Sequence, residues 1–211
     1  MKKKTVIIDY GLGNLYSIAQ ACAHVGSTPV ITSDREEIIN SDSVILPGVG
    51  AFKVAMDHLN EMNLTNTIVE FANTGKPLMG VCLGMQLLFE QSQEFGEHAG
   101  LGIIPGAVKR FPQEYNQNKL KIPHIGWNKL FKSNVEWEKT PLSEVAETDF
   151  MYFVHSYYAE PAELSSVLTY TYYQDFKYCS SVQKNNIFGF QFHPEKSGEA
   201  GLTIYKNFLS I

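Results

Sequence analysis

The sequence predicts an α/β domain with a largely parallel central sheet covered by helices on both faces. Two observations carry this. Through about residue 89, short apolar runs rich in β-branched residues alternate with stretches whose apolar residues recur every three to four positions. Those apolar runs are short and continuous, as strands buried on both faces require. At 211 residues the chain suits one domain with a full core better than two small ones, and residues 1–211 are read as a single domain.

The elements follow in order. Val6-Ile7-Ile8 is a buried strand, and Gly11-Leu12-Gly13-Asn14 is the loop after it. Leu15, Ile18, Ala19, Cys22 and Val25 have helical spacing, and Gly26 ends that helix. Pro29-Val30-Ile31 is a second strand, and Ser33 to Glu36 has the capping-box spacing that opens a short helix. Ser43-Val44-Ile45-Leu46 is a third strand, stopped by Pro47-Gly48. One helix passes through Met56 and Leu59, and another runs from about Thr65 to Gly75. Pro77 to Val81 is a fourth strand, with Leu87-Leu88-Phe89 placed on the helix that follows. From about Ile103 the chain turns aromatic and β-branched. Phe150 to Tyr158, Val167 to Tyr173, Tyr178 to Val182 and Ile187 to Phe192 read as strands, with a hairpin turn at Lys184-Asn185-Asn186 and a last helix from Gly201 to Leu209. Parallel sheets of this kind bind ligands at the carboxyl ends of their strands, so the loops after Leu46 and Val81 should face one another.

Composition narrows the function classes. Hydrophobic residues make up 44% and charged residues 18%, as in an ordinary globular protein. The net charge of −5 gives no reason to expect a nucleic-acid surface, and the trio Lys2-Lys3-Lys4 reads as a solvated N-terminus. The apolar stretch after that trio meets Asp9 too soon to be a signal peptide, and no apolar run has the ~18 residues of a membrane span. Cys22, Cys82 and Cys179 are few, odd in number and scattered, which fits a reducing, cytoplasmic setting without disulfides.

The chemistry centres on Gly80-Val81-Cys82-Leu83-Gly84, which has the Gly-x-nucleophile-x-Gly spacing of a strand-to-helix elbow. The sharp turn leaves no room for side chains beside the nucleophile. It also sets the thiol at a helix N-terminus, where free N–H groups and the helix dipole favour a thiolate. Taken alone, a cysteine after an apolar strand is more often an inert core residue; the elbow around it reverses that balance. A thiol nucleophile needs a base, and the base an orienting group. Both are offered by His193-Pro194-Glu195 at the end of the last strand, on a turn stiffened by Pro194. Pro47-Gly48-Val49-Gly50 can aim backbone N–H groups at an oxyanion. Val49 or Gly50 supplies one donor and Leu83, just after the nucleophile, the other. Gly11-Leu12-Gly13-Asn14 lacks the third glycine of a dinucleotide site, and no His/Cys cluster has metal-ligand spacing, so neither cofactor nor metal is expected.

Together these pieces resemble the class I (triad) glutamine amidotransferases, whose elbow reads Gly-x-Cys-x-Gly-x-Gln, with Gln86 completing it here. Asp9 to Asn14, Pro47 to Phe52, Cys82 to Gln86, Pro123 to Asn128, Phe153 to Tyr157 and His193 to Ser197 look like the motifs of one branch, the HisH glutaminase subunits of imidazole glycerol phosphate synthase. Met85 and Lys196 favour this branch over the anthranilate and carbamoyl-phosphate ones, and Ile125 stands where the branch more often has Met. The resemblance implies a flavodoxin-like three-layer fold and glutamine as substrate, held by Gly50, Gln86, Ser156 and Tyr157. It also implies a (β/α)₈-barrel cyclase subunit as partner in a heterodimer, contacted by Asn14, Trp127, Tyr152 and Lys196. Ammonia made at Cys82 would serve formation of imidazole glycerol phosphate and an aminoimidazole carboxamide nucleotide in histidine biosynthesis. Two alternatives stay open: a paralogue supplying ammonia for amidination of a bacterial surface sugar, for which Ser180 to Lys184 gives no exclusion, and a free-standing cysteine amidohydrolase.

Overall fold

A computed structural model describes residues 3–211. The first half builds the expected alternation: β1 (Thr5–Ile8), α1 (Leu15–His24), β2 (Val30–Thr32), α2 (Arg35–Ile39), β3 (Ser43–Leu46), α3 (Phe52–Glu61), α4 (Leu64–Asn73), β4 (Leu78–Val81) and α5 (Leu83–Leu87). Two details differ from the sequence expectation. The cap of α2 is Asp34, not Ser33; its side chain accepts from the Glu37 N–H at 2.8 Å. Both residues precede a glutamate by three positions, so spacing alone does not choose between them. Next, α5 ends at Leu87. The Leu87 and Leu88 carbonyls accept from the Leu101, Ile103 and Ile104 N–H groups, and Phe89 opens a strand instead of continuing the helix. Of the basic trio, Lys2 lies outside the described residues; the Lys3 ammonium donates to the Ser210 carbonyl at 2.9 Å.

The second half is β-rich: β5 (Phe89–Ser92), β6 (His98–Ala99), β7 (Ile104–Arg110), β8 (Glu114–Tyr115), β9 (Asn118–Lys119), β10 (His124–Lys129), β11 (Phe131–Lys132), β12 (Phe150–His155), β13 (Tyr157–Pro161), β14 (Val167–Tyr173), β15 (Phe176–Lys184), β16 (Ile187–Phe190) and then α6 (Gly198–Ser210). Among the described residues the main sheet runs β2-β1-β3-β4-β16-β15-β13-β7-β5-β6, with β14 and β11 branching from β15. Its first five strands are all parallel; beyond β16 the pairing is antiparallel apart from β5 with β7. The expected single strand from Phe150 to Tyr158 is two. Phe150–His155 pairs with β10 in a separate ribbon, and the chain crosses at Ser156 to pair Tyr157–Pro161 with β7.

The period-2 alternation of the parallel strands makes the three layers. Val6, Ile8, Val44, Leu46 and Leu78 pack with Ile38, Phe52, Leu59, Ile68 and Phe71 from α2, α3 and α4. Ile7, Ile45, Met79 and Val81 point the other way, onto Ile18 and Cys22 of α1 and Ile204, Tyr205 and Phe208 of α6. No helix among the described residues is long and apolar enough to cross a membrane.

Candidate active site

The carboxyl ends of β3, β4 and β16 lie side by side, and each delivers one part of the site. β4 ends in Cys82, which caps α5 with φ 54° and ψ −112°. A non-glycine residue in that region is strained, and the neighbours hold it there. The Cys82 N–H donates to the Phe190 carbonyl at 2.7 Å, while the Cys82 carbonyl accepts from the Met85 and Gln86 N–H groups. The flanking glycines are required by contact. A β-carbon on Gly80 would lie 2.7 Å from the Gly84 carbonyl oxygen and 2.8 Å from the Met85 nitrogen, and one on Gly84 would run into the Leu46 carbonyl. Leu83 opens α5, so its N–H has no partner inside that helix.

β3 ends in the loop Pro47-Gly48-Val49-Gly50. Gly48 packs directly on Gly84: a β-carbon on it would come 2.7 Å from the Gly84 nitrogen. The Tyr10 hydroxyl, after β1, donates to the Pro47 carbonyl at 2.9 Å and ties the loop down. Burial, with the nearby Cys82 charge adding to it, pushes that phenol well above its ordinary range, so it stays a donor. Further along, the loop loosens. Val49 is exposed, Gly50 has φ +98°, and a β-carbon on Gly50 would meet nothing.

β16 leads to His193, Pro194 and Glu195 on a short 3₁₀ turn with Pro194 at its first position. His193 Nδ1 lies 2.8 Å from Glu195 Oε1, and both side chains are out of solvent. Burial pulls the imidazole down, but hydrogen bonds to Cys82 and Glu195, and their charges, outweigh it and push it up to about 10. The turn is pinned to β12: the His193 N–H donates to the Tyr152 carbonyl, and the Ser197 hydroxyl accepts from the Tyr152 N–H while donating to the His193 carbonyl.

A cavity of about 330 Å³ opens over Cys82 and His193. It brings together the expected oxyanion residues Val49, Gly50 and Leu83 and the expected substrate residues Gly50, Gln86, Ser156 and Tyr157. The expected partner residues lie elsewhere. Trp127 and Tyr152 face each other across the β10–β12 ribbon with ring centroids 5.8 Å apart, and the Lys196 ammonium sits 5.8 Å over the Tyr152 ring. Asn14 occupies the N-cap position of α1, without a side-chain capping bond. Ile125 on the same ribbon is 59% exposed, so its exchange for Met costs no core packing.

Two lining residues are not singled out by the sequence: Glu94 lies outside every motif, and His155 lies within Phe153–Tyr157 without an assigned role. Glu94 accepts from the Phe52 N–H through Oε2 at 2.5 Å, anchoring it to the start of α3, and lines the cavity. His155 Nδ1 donates to the Tyr157 carbonyl at 2.8 Å; its Nε2 is 3.3 Å from the Tyr178 hydroxyl, which lies 3.2 Å from His124 Nδ1. Because the Tyr157 carbonyl can only accept, this chain has one direction: His124 donates to Tyr178, Tyr178 to His155, and His155 to the carbonyl. Burial first of all keeps both imidazoles neutral, His155 at about 3 and His124 at about 4. The remaining thiols, Cys22 and Cys179, are buried and unpaired; burial lifts both, Cys22 to about 12. No group of three or more His, Cys, Asp or Glu among the described residues is arranged to hold a metal ion.

Comparison with known proteins agrees with this geometry. The family model for "Glutamine amidotransferase class-I" matches residues 6–211. The chain is 48% identical over 207 residues to the imidazole glycerol phosphate synthase subunit HisH of Bacillus cereus, covering 97% of this chain and 93% of that one. The HisH of Bacillus thuringiensis (strain Al Hakam) gives 48% over 208 residues with the same coverage. Among solved structures, PurLQS from Thermotoga maritima superimposes with a TM-score of 0.73 at 19% identity, covering 100% of this chain and 99% of that one. A glutamine amidotransferase gives 0.72 at 16%, covering 98% and 99%; at such identity the likeness is one of fold. The chain belongs to the class I glutamine amidotransferases, in the branch of the HisH subunits.

Proposed function

We propose that this chain, acting as one domain, is the glutaminase subunit of an imidazole glycerol phosphate synthase and hands ammonia to a (β/α)₈-barrel cyclase in the cytoplasm. The observation that carries the reading is the meeting of Cys82, the His193–Glu195 pair and the lining residues Val49, Gly50 and Leu83 around one cavity. The Cys82 sulfur attacks the side-chain amide carbon of glutamine. The oxyanion is held by N–H groups of Leu83 and of Val49 or Gly50. His193 protonates the departing ammonia, then takes a proton from the water that attacks the thioester, and glutamate leaves. Gln86, Ser156 and Tyr157 line the substrate, and Glu94 is the carboxylate suited to its α-ammonium. Ammonia protonated in bulk water is no nucleophile, so delivery needs a sealed contact, for which the exposed Trp127–Tyr152–Lys196 stack, with Asn14, is the candidate surface.

The test pairs labelling with complementation. 6-Diazo-5-oxo-L-norleucine should label Cys82 in the wild type, and the gene should rescue a histidine auxotroph lacking its own glutaminase subunit. Absence of labelling overturns the enzyme assignment. Labelling without rescue overturns the pathway and favours the surface-sugar paralogue.

A further inference from the structure

We propose that Gln191 is a second, non-titrating hydrogen-bond donor to the Cys82 sulfur, oriented by an amide chain that starts at the Tyr157 carbonyl. The inference rests on Cys82 being the nucleophile, as proposed above. Gln191 is fully buried just after β16, with its N–H donating to the Ser180 carbonyl. A buried primary amide must place two donors and an acceptor, and here the surroundings decide which end points where. The Tyr157 carbonyl can only accept, and it takes a bond from Gln86 Nε2 at 3.1 Å beside the one from His155. This fixes the Gln86 amide, since the flipped form would set two oxygens against each other. The same Gln86 Nε2 donates to Gln191 Oε1 at 2.9 Å. Gln191 Nε2 is thereby turned toward Cys82 Sγ, 3.9 Å away, within reach of an N–H···S bond.

The chemistry gives such a donor work that His193 does not do alone. Before the attack, an N–H aimed at sulfur favours the thiolate over the thiol, because only the thiolate accepts strongly. His193 then loses its proton to the departing ammonia. In the second step water adds to the thioester carbon and His193 takes the water's proton. The C–S bond breaks, and its electron pair returns to Sγ. Gln191 faces the sulfur throughout and carries the same hydrogens at every stage, so it steadies the charge at both ends of the cycle. It also links the nucleophile to Gln86 and Tyr157, so the wall that holds the substrate and the sulfur that attacks it share one hydrogen-bonded chain.

The experiment follows alkylation of Cys82 by iodoacetamide across pH 6 to 10 in the full chain, read by mass spectrometry. Gln191→Met keeps length and removes the donor; Gln191→Glu keeps an acceptor for Gln86 and adds a repelling charge. The Met variant should react about tenfold more slowly at pH 7, the low end for a hydrogen bond to a charged group, and converge on the wild type at high pH. The Glu variant should be slower still. Profiles superimposable on the wild type in whichever variant retains a wild-type melting transition overturn the proposal. Should neither fold, the Gln191 side-chain amide resonance of the wild type decides: it must move when Cys82 is alkylated, and a stationary resonance refutes the contact. Labelling of wild-type Cys82 by the diazo-oxo-norleucine reports separately on the nucleophile, so failure there is distinguishable from failure of the Gln191 role.

Discussion

A single methyl group at Gly48 should disable turnover while leaving Cys82 reactive. Gly48 has no left-handed φ, so alanine is conformationally acceptable and the whole effect is one of packing. Its β-carbon would lie 2.7 Å from the Gly84 nitrogen and 2.9 Å from both the Leu83 β-carbon and the Tyr10 hydroxyl, where ordinary contacts begin near 3.4 Å. Two of these neighbours are the elbow itself, which the Phe190 carbonyl and the 2.7 Å bond from Cys82 hold in place. The exposed loop end at Val49 and Gly50 is the softer wall. Relief therefore moves the loop away from Leu83 by roughly 0.5–1 Å, widening the gap between the two proposed oxyanion donors. Misplacement by ~1 Å costs about a hundredfold, and the packing strain about 1–3 kcal/mol of stability. Glutamine turnover in the complex with the cyclase should fall about a hundredfold in Gly48→Ala, with iodoacetamide alkylation of Cys82 nearly unchanged, since alkylation forms no oxyanion. Turnover within threefold of the wild type in a folded variant would refute the reasoning.

Further predictions follow from the same geometry. Cys82→Ala should abolish glutamine hydrolysis and keep the ammonia-dependent reaction of the complex; residual full glutaminase activity would remove Cys82 from the mechanism. The Val49–Gly50 peptide has room to rotate, so glutamine hydrolysis should accelerate when the cyclase is present with its ligand, and equal rates with and without it would count against a mobile oxyanion loop. His193 is raised to about 10 against an unfolded value near 6.5, so its contribution to stability is complete below 6.5 and lost as pH rises through about 10. Urea midpoints should fall over that window, and less steeply in Glu195→Gln. The buried neutral His155, at about 3, acts in the opposite direction. Below about pH 6.5 the unfolded chain takes up a proton the fold refuses, which removes up to about 1.4 kcal/mol per pH unit, and His124 adds in the same sense. A urea midpoint constant from pH 7 to 5 would show that the imidazole chain is not held neutral.

The parallel half of the fold was legible because strands such as Ser43–Leu46 are buried on both faces and read as continuous apolar runs. The ribbon strand His124–Lys129 was not, since only His124 of it is buried, apolar residues are few and it pairs only with β12. Nothing local marks Ser156 as the crossing from ribbon to main sheet; that break is set by the partners waiting on either side. The elbow was legible from spacing because Gly80 answers to Gly84 and Met85 within five residues, although Gly84 itself answers to Leu46 on the neighbouring strand. The cap of α2 shows the limit of spacing, with Ser33 and Asp34 equally placed and only one used. Glu94 sits in a stretch without a motif and His155 within the Phe153–Tyr157 motif without a role of its own, and their place at the cavity depends on folding over tens of residues.

The site is held together mainly by backbone, and this explains which residues its chemistry can least spare. Gly48 meets Gly84, Gly80 meets Gly84 and Met85, the Cys82 N–H meets the Phe190 carbonyl, and the His193 N–H meets the Tyr152 carbonyl. Two of these contacts join ends of neighbouring strands, β3 to β4 and β4 to β16, and the strand order β1-β3-β4-β16 lines up Tyr10, the Pro47–Gly50 loop, Cys82 and His193 along one edge. Side chains then need only short reaches: Tyr10 to Pro47, Glu195 to His193, Gln191 to Cys82. The proposed nucleophile, in a strained backbone conformation, is kept there by close neighbours, while the loop at Val49 and Gly50, the proposed oxyanion donors, is exposed and open. Rigidity around Cys82 and freedom at Val49 are therefore complementary: the first keeps the thiol ready, and the second leaves completion of the site to whatever binds beside it.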